Sequence, residues 1–399
     1  MRRQKVRRIK GLREFFKKET VLCAAVLLAL LSALAVPPDR EYAAYIDFRT
    51  LSILFGLMCV MAGLQKTGVF AWIARRLLGR VKSSRGIVFV LVLLCFFFSM
   101  LITNDVALIT FVPFTFTVLE LLGEERRRRM VLPVTAMQTI AANLGSMLTP
   151  VGNPQNLYLY GRAGLSAGEF LALMLPYTVL SLALLIFWVM LQSRMTQGKD
   201  GKAGAEEKDG AGAAEVSGRE DFILSGQTLR LLSVYLVLFL LCLLAVGHLL
   251  PWQAVLVIVL AAVLVMDRRV LAAVDYSLLL TFAGFFVFIG NMGRIPAFCE
   301  FLNRIITGRE VYTAVIASQV ISNVPAALLL SGFTENFESL IVGTNLGGLG
   351  TLIASMASLI SYKYVAARES GRRGEYVRIF TLGNICFLAA LLTLAACLI

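Results

Sequence analysis

Apolar segments long enough to cross a lipid bilayer recur along almost the whole chain. Residues 21–36, 51–64 and 171–190, with their flanks, are examples. A helix of roughly 17 to 25 such residues crosses the ~30 Å hydrocarbon layer of a membrane. A chain of 399 residues that is 58% hydrophobic carries more apolar surface than globular cores of this size bury. The sequence therefore predicts an all-α polytopic membrane protein.

The positive charge of the chain, a net +13, lies in short segments between the apolar ones. Lys and Arg in such loops orient membrane helices because these residues stay on the cytoplasmic side. This distribution excludes nucleic acid as the partner and predicts that the basic segment 1–18 is cytoplasmic. Counting spans from there places the N-terminus in the cytoplasm and the C-terminus outside, in the cytoplasmic (inner) membrane.

The chain divides into two transmembrane halves, residues 19–192 and 251–399. Each half contains two apolar arms with a polar tip, at about 86–122 and about 310–334, and a broken helix, at about 130–160 and about 337–360. Residues 193–227 lack apolar periodicity and predict a disordered cytoplasmic linker, followed by a connecting helix at 228–247. Charge alone allows two full spans or one re-entrant hairpin at 86–122, and the renewed apolar helix straight after the polar tip favours the hairpin.

Three landmarks recur in the same order in the two halves. The first is an Asp followed nine residues later by a Gly, at Asp47 and Gly56 and again at Asp275 and Gly284. The second is the polar tip, Thr103-Asn104 and Ser322-Asn323. The third is the helix break, Asn143 to Thr149 and Asn345 to Thr351. By the charge argument the first copy of each element runs opposite to the second. The sequence thus predicts inverted-topology repeats with re-entrant hairpins and discontinuous helices, an arrangement typical of transporters.

The polar tips and breaks are the predicted binding site. At a hairpin tip one arm ends with unpaired carbonyls and the next begins with unpaired amides, which suit a cation and an anion side by side. We expect sodium near Asn104 and Asn323, and neither a catalytic residue nor a cofactor beyond a coupling ion. The predicted site residues are Thr103, Asn104, Asp105, Asn143, Ser146, Thr149, Gly152, Asn153, Gln155, Asn156, Ser322, Asn323, Thr344, Asn345, Gly347, Gly348 and Thr351.

Asp105 is the most informative single residue. A charged carboxylate near the bilayer centre costs about 2.5 to 3.5 kcal/mol and normally has a function. We interpret it as the site of proton or sodium coupling. The alternative is a carboxylate that the amides of its own helix N-terminus stabilise. Val324 stands at the matching position of the second half, so the two halves are chemically unequal.

The motifs LITNDVALITFVPF, ANLGSMLTPVGNPQN, SQVISNVPAALLLSGF and GTNLGGLGTLIASMASL resemble those of the ion transporter superfamily. That group includes arsenite permeases, sodium/proton antiporters, citrate carriers and divalent anion/sodium symporters. The resemblance implies the hairpin and broken-helix fold and a homodimer. Dicarboxylate symporters of the group carry Ser-Asn-Thr at each tip. The aligned triplets here are Thr103-Asn104-Asp105 and Ser322-Asn323-Val324, and only the Asn is kept in both. The nearest likeness is to uncharacterised bacterial anion permeases of the citrate-transporter type.

Together these features predict an ion-coupled secondary transporter that moves a small anion, organic or inorganic, by alternating access. Its partners are then that anion and the lipid bilayer. An arsenite or metalloid efflux permease and a sodium/proton antiporter are the alternatives. A channel is less favoured because the polar breaks are localised. An intramembrane enzyme is less favoured because no paired intramembrane aspartates or Ser/His dyad is evident. The substrate, the direction and the choice between sodium and proton stay open.

Overall fold

The computed structural model of this chain describes residues 19–81, 83–200 and 226–399, with the backbone alone for 193–200. All regular structure in these ranges is helical. Seven of the described helices are long and apolar enough to cross a membrane: Phe48–Lys66, Ser84–Ile102, Asn104–Leu121, Ala167–Gln192, Gly226–Val246, Tyr276–Gly293 and Ser370–Leu398. The prediction of an all-α polytopic membrane protein is confirmed. The basic segment 1–18 and most of the predicted linker lie outside the described residues.

The first half contains nine of the described helices. They are α1 (Thr20–Ala35), α2 (Tyr42–Tyr45), α3 (Phe48–Lys66), α4 (Val69–Leu78), α5 (Ser84–Ile102), α6 (Asn104–Leu121), α7 (Glu124–Ser146), α8 (Pro154–Ala163) and α9 (Ala167–Asp200).

The second half follows a similar order after one additional helix. Its helices are α10 (Gly226–Val246), α11 (Trp252–Met266), α12 (Tyr276–Gly293), α13 (Pro296–Ile306), α14 (Glu310–Ile321), α15 (Asn323–Ser331), α16 (Phe337–Leu346), α17 (Met356–Arg368) and α18 (Arg373–Leu398). Short 3-10 helices at Arg268–Ala273 and Ser370–Arg372 precede α12 and α18.

Several helix ends differ from the sequence prediction. Helix α9 continues to Asp200, so the first eight residues assigned to the linker are helical. Helix α17 runs to Arg368 and α7 begins at Glu124, because charged residues at a membrane surface continue a helix into water without breaking its hydrogen bonds. Helix α13 was missed, since eleven residues with a mixed polar and apolar pattern are too few for a span.

Two groups of packed helices position the site. In one group α1 packs on α12, and α10 and α11 pack on α3. In the other, the arms α5 and α6 pack on α7, α14 packs on α16, and α17 packs on both α6 and α7. Helices of the two halves therefore interlock within both groups, and the breaks between α7 and α8 and between α16 and α17 lie inside the second group.

Matching caps begin α3 and α12. Asp47 Oδ1 accepts a hydrogen bond from Thr50 N at 2.9 Å, and Asp275 Oδ1 accepts one from Leu278 N at 3.0 Å. The backbone angles of the two aspartates, φ −78° with ψ 84° and φ −79° with ψ 81°, are nearly the same. A carboxylate in this place satisfies a free amide of the first helical turn. The first landmark of the predicted repeat thus has the same local structure in both halves.

Candidate functional site

Each hairpin tip consists of one residue with left-handed backbone geometry. Thr103 joins α5 to α6 with φ 67° and ψ 149°, and Ser322 joins α14 to α15 with φ 72° and ψ 156°. A positive φ is uncommon for residues other than glycine, and such strain is concentrated at functional sites. The two tips therefore share an unusual conformation at positions that the sequence paired.

The tips dock on the two helix breaks through backbone hydrogen bonds. Asn104 N donates to the Gly152 carbonyl at 3.2 Å, and Asn323 N donates to the Ala354 carbonyl at 2.9 Å. The side-chain oxygens of the same two asparagines accept the next amide of their own helix, at 2.9 and 3.0 Å. Each asparagine is thus the first helical residue and also satisfies an amide that has no partner within the helix.

The docking geometry bears on the choice between a hairpin and two full spans. Helix α8 begins two residues after Gly152 and has 10 residues, which corresponds to about 15 Å of helix. The tip bonded to Gly152 therefore lies about 15 Å from the far end of α8. Each arm is also long enough to cross a membrane by itself, so the re-entrant hairpin stays a prediction.

A threonine of each break fixes the first arm of each hairpin. Thr149 Oγ1 donates to the Met100 carbonyl, and Thr351 Oγ1 donates to the Gln319 carbonyl at 3.3 Å. Both acceptors stand three residues before the positive-φ residue of their tip. These hydroxyl groups are therefore occupied in holding the tips, and the sequence alone did not assign them this role.

Two glycines allow the broken helices to approach the hairpins. A Cβ at Gly145 would collide with the Phe96 carbonyl of α5, and a Cβ at Gly347 would lie 2.7 Å from the Cβ of Ser318 on α14. The two glycines occupy matching places in the two halves. Close backbone approach through small residues is the usual way in which membrane helices pack.

Asparagine side chains connect the two halves at the breaks. Asn143 Oδ1 accepts from Asn104 Nδ2 at 3.0 Å and from Ser355 Oγ at 3.0 Å. Asn345 Nδ2 donates to Asn156 Oδ1 at 2.7 Å. The asparagine before each break thus contacts a residue that follows the break of the other half: Asn143 contacts Ser355, and Asn345 contacts Asn156. A two-fold relation between the breaks has this consequence.

Several buried polar atoms of this cluster have no hydrogen-bond partner among the described residues. They are Asp105 Oδ1, Asn153 Oδ1, both amide atoms of Gln155, and Asn345 Oδ1. A buried polar atom without a partner costs free energy, so each of these atoms indicates a position for water, an ion or a substrate group. Four of the five are acceptor oxygens, the ligand type that hard cations prefer.

The remaining predicted residues mostly hold the breaks in place. Ser146 Oγ accepts from Asn153 Nδ2 at 2.7 Å, and a Cβ at Gly152 would collide with the Ser146 carbonyl. The Thr344 hydroxyl donates to the Leu340 carbonyl of its own helix at 2.8 Å, so it does not point into the cluster. A Cβ at Gly348 would lie 3.1 Å from Asn323 Nδ2.

Ser355 and Gln319 contact predicted site residues but were not themselves predicted. Ser355 stands ten residues after Asn345, as Asn153 stands ten residues after Asn143, and extending the repeat by this spacing would have found it. Gln319 Nε2 donates to the Gly347 and Leu349 carbonyls at 3.1 and 2.9 Å, and its Oε1 accepts from Thr351 N. Its counterpart in the first half is Met100, so the repeat gave no signal for this residue.

The charge of the cluster comes from Asp105 alone. In the described part of the chain, no Lys or Arg side chain donates a hydrogen bond to any predicted site residue. Four helices end and four helices begin at the tips and breaks. Their carbonyl and amide ends carry the partial charges that bind cations and anions respectively.

One side of the cluster has aromatic packing. Tyr158, one turn beyond Gln155 on α8, shares a hydrogen bond of 2.9 Å with Ser331 of α15. Its ring packs on Phe286 and Phe282 of α12, with ring centroids 5.5 and 6.3 Å apart. Asp105, which is half-buried, lies on α6 and not among these aromatic rings. Tyr158 thus links α8 to α12 and α15 next to Gln155.

Comparison with known proteins places the chain among transporters. The family model of the citrate transporter, CitMHS, matches residues 16–357. The inner membrane protein YbiR of Escherichia coli K12 is 32% identical over 335 residues, which cover 83% of each chain. The uncharacterized transporter MJ0456 of Methanocaldococcus jannaschii is 30% identical over 367 residues, 92% of this chain and 94% of that one.

A partial likeness extends to a plant protein. The silicon efflux transporter LSI3 of Oryza sativa is 33% identical over 155 residues, 39% of this chain and 30% of that one. The predicted resemblance to the superfamily of citrate carriers and anion permeases is confirmed by the family match and by the two longer alignments. The chain belongs to the citrate transporter family and is a multi-pass membrane transporter of a small molecule, not an enzyme.

Proposed function

We propose that this chain is an ion-coupled secondary transporter that carries a small anion across the cytoplasmic (inner) membrane by alternating access. In this proposal the N-terminus is cytoplasmic, the C-terminus is outside, and the protein is a homodimer. The observation that carries the proposal is the meeting of both tips and both breaks in one buried cluster. That cluster holds unpartnered polar atoms from both halves, Gln155 and Asn345 among them.

The amide ends of helices supply the anion site in this proposal. Helices α6 and α8 of the first half and α15 and α17 of the second begin at the cluster. Amide groups and helix dipoles bind carboxylate and other anionic groups without any basic side chain. An arrangement without Lys or Arg binds an anion weakly enough to release it, which a carrier requires.

The charge of Asp105 supplies the reason for coupling. A second negative charge entering the same low-dielectric region is repelled strongly unless a cation accompanies it. A sodium ion at the carbonyl ends of α5 and α14, or a proton on Asp105, would neutralise this repulsion. Binding of the anion then depends on binding of the cation, which is the thermodynamic condition for coupled transport.

Metalloid efflux is the second candidate, and the alignment to the silicon efflux transporter favours it. An uncharged hydroxylated species binds through hydrogen bonds alone and needs no accompanying cation. Gln155, fully buried with a free donor and a free acceptor, suits a hydroxyl group of such a substrate. The two candidates differ in whether transport depends on a cation gradient.

Flux in proteoliposomes of the purified protein tests the proposal. Citrate, succinate, sulfate and arsenite are supplied in turn under an imposed sodium gradient, a proton gradient or neither. Uptake of one anion that is driven by one cation gradient supports the proposal, and protein-free vesicles are the control. Sodium/proton exchange without movement of any anion would overturn it in favour of an antiporter. Arsenite flux that ignores both cation gradients would favour the metalloid carrier.

A further inference from the structure

Helix α4 (Val69–Leu78) has two chemically different faces. Phe70, Ala74 and Leu78 recur every four residues and are buried. On the opposite face Arg76 is exposed and stands one turn after Trp72, and Arg80 follows in the exposed turn beyond the helix. Residues three or four apart lie on the same side of a helix, so this side presents an aromatic ring and guanidinium groups together.

The arginines of this segment have no acidic partners among the residues that the structure describes. Arg75, Arg76 and Arg80 form no ion pair with any residue that the structure describes. Exposed basic residues usually have water as their partner. Helix α4 packs on both arms of the first hairpin, α5 and α6, so these charges stand beside the hairpin of the proposed site.

Helix α13 in the second half provides an internal comparison. Measured from Asp47 and from Asp275, α4 and α13 occupy matching positions. The pairs are Phe70 with Phe298, Trp72 with Glu300, Arg76 with Arg304, and Leu78 with Ile306. The apolar faces are alike, but α13 carries Glu300 one turn before Arg304 and is itself neutral. When the turn after each helix is counted, which adds Arg80 to α4 and Arg309 to α13, the net charges are +3 and +1.

We infer that α4 with its following turn is a binding surface for the headgroups of anionic phospholipids. Guanidinium groups match phosphate geometry through paired hydrogen bonds. A tryptophan in the same row fits the boundary between headgroups and acyl chains, and a helix with one apolar and one basic face lies in that boundary. The neutral counterpart α13 lacks this chemistry, so the preference belongs to one membrane surface.

The intrinsic fluorescence of Trp72 measures lipid contact directly. The chain has three tryptophans, so Trp188→Phe with Trp252→Phe leaves Trp72 as the only indole. This variant is reconstituted into phosphatidylcholine vesicles that contain either brominated phosphatidylglycerol or the same fraction of brominated phosphatidylcholine. Bromine quenches only at contact, so the ratio of the two quenching values reports the preference for the anionic lipid.

We expect stronger quenching by brominated phosphatidylglycerol, and a preference that weakens as salt is raised. Arg75→Gln, Arg76→Gln and Arg80→Gln together should make the two lipids quench equally, whereas Arg304→Gln on α13 should change nothing. The inference would be overturned if the two lipids quenched equally in the protein that keeps all its arginines, or if the preference did not change with salt. It would also be overturned if Arg304→Gln reduced the preference as much as the triple arginine variant does. The salt titration needs no arginine variant, so it stays informative if the triple variant does not fold. Quenching reports lipid contact without any transport, so the test is independent of the proposed function.

Discussion

Replacing Asp105 with Asn removes a charge from the proposed coupling site and keeps the shape of the side chain. Asp105 is the second residue of α6, and its Oδ1 is buried without a partner. A charge at the bilayer centre costs about 2.5 to 3.5 kcal/mol, and its attraction to the helix N-terminus returns about 0.3 to 1 kcal/mol. If the carboxylate is charged in the ion-free protein, Asp105→Asn should stabilise that protein by roughly 1.5 to 3 kcal/mol.

Thermal unfolding of the purified protein in detergent checks this estimate. A cation bound to the native state at about 100 times its Kd adds about 2.7 kcal/mol of stability. The parent chain should therefore become more stable with the coupling cation, and Asp105→Asn should show the higher ion-free stability and no such response. In flux assays the same variant should lose dependence on the cation gradient.

Asp47→Asn is a matched control for that experiment. It makes the same change at the half-buried cap of α3, where Asn can still accept the Thr50 amide, and it should leave the ion response intact. An Asp105→Asn protein that responds to the cation as the parent does would remove the assigned role of Asp105. Destabilisation of that variant without ion would support the alternative, in which the carboxylate serves its own helix N-terminus.

Three further changes have outcomes that the structure predicts. Asn143→Ala removes two hydrogen bonds of 3.0 Å, one from Asn104 of its own half and one from Ser355 of the other half. At about 1 kcal/mol each, it should raise the KM for the transported anion about 10-fold or more. Gly145→Ala places a methyl group against the backbone of α5 and should lower the free energy of unfolding by about 1 to 3 kcal/mol. As a control, the methyl group of Gly293→Ala meets no atom within 4 Å, so that change should leave the free energy of unfolding nearly unaltered. His248→Gln concerns pH: loss of hydration and the nearby Arg49 lower the pKa of His248, so the folded chain binds this proton less readily than the unfolded chain. Stability should then fall as pH drops below about 6.5, and the melting temperatures at about pH 7.5 and about pH 5.5 should differ less in His248→Gln.

Each of these predictions has a result that contradicts it. An unchanged KM in Asn143→Ala would mean that the contacts between the halves do not shape the site. Equal melting temperatures for the two alanine variants would mean that α5 and α7 are not in close contact at Gly145. A pH dependence between these two values that His248→Gln leaves unaltered would assign it to groups other than His248.

The positions of the helices could be predicted because lipid imposes a strict rule on backbone hydrogen bonds. Thr103, Asn104 and Pro154 interrupt apolar segments, and the structure ends or begins helices at these residues. Helix α13 and the ends of α9 and α17 could not be predicted in the same way. They lie in segments where charged residues adjoin apolar ones, and there tertiary contacts decide how far a helix continues.

The candidate site stays a prediction from residue types, to which the structure adds contacts. Asn104 donates to Asn143, and Asn345 donates to Asn156. Which side chains remain without partners did not follow from the sequence, because a hydroxyl group near a helix end often bonds the carbonyl one turn before it. Thr344 does so, whereas the amide of Gln155 has no partner within the described residues, and only coordinates distinguish the two cases.

Solute counterflow tests the central claim, that one site between the tips serves both sides of the membrane in turn. Proteoliposomes are loaded with a high concentration of unlabelled anion and diluted into a trace of the labelled anion, with no ion gradient or voltage imposed. A carrier must return with cargo from inside, so we predict that the label transiently accumulates above its outside concentration and that Asn143→Ala reduces this overshoot. A monotonic rise to the outside concentration, without any overshoot, would contradict the account and indicate a channel.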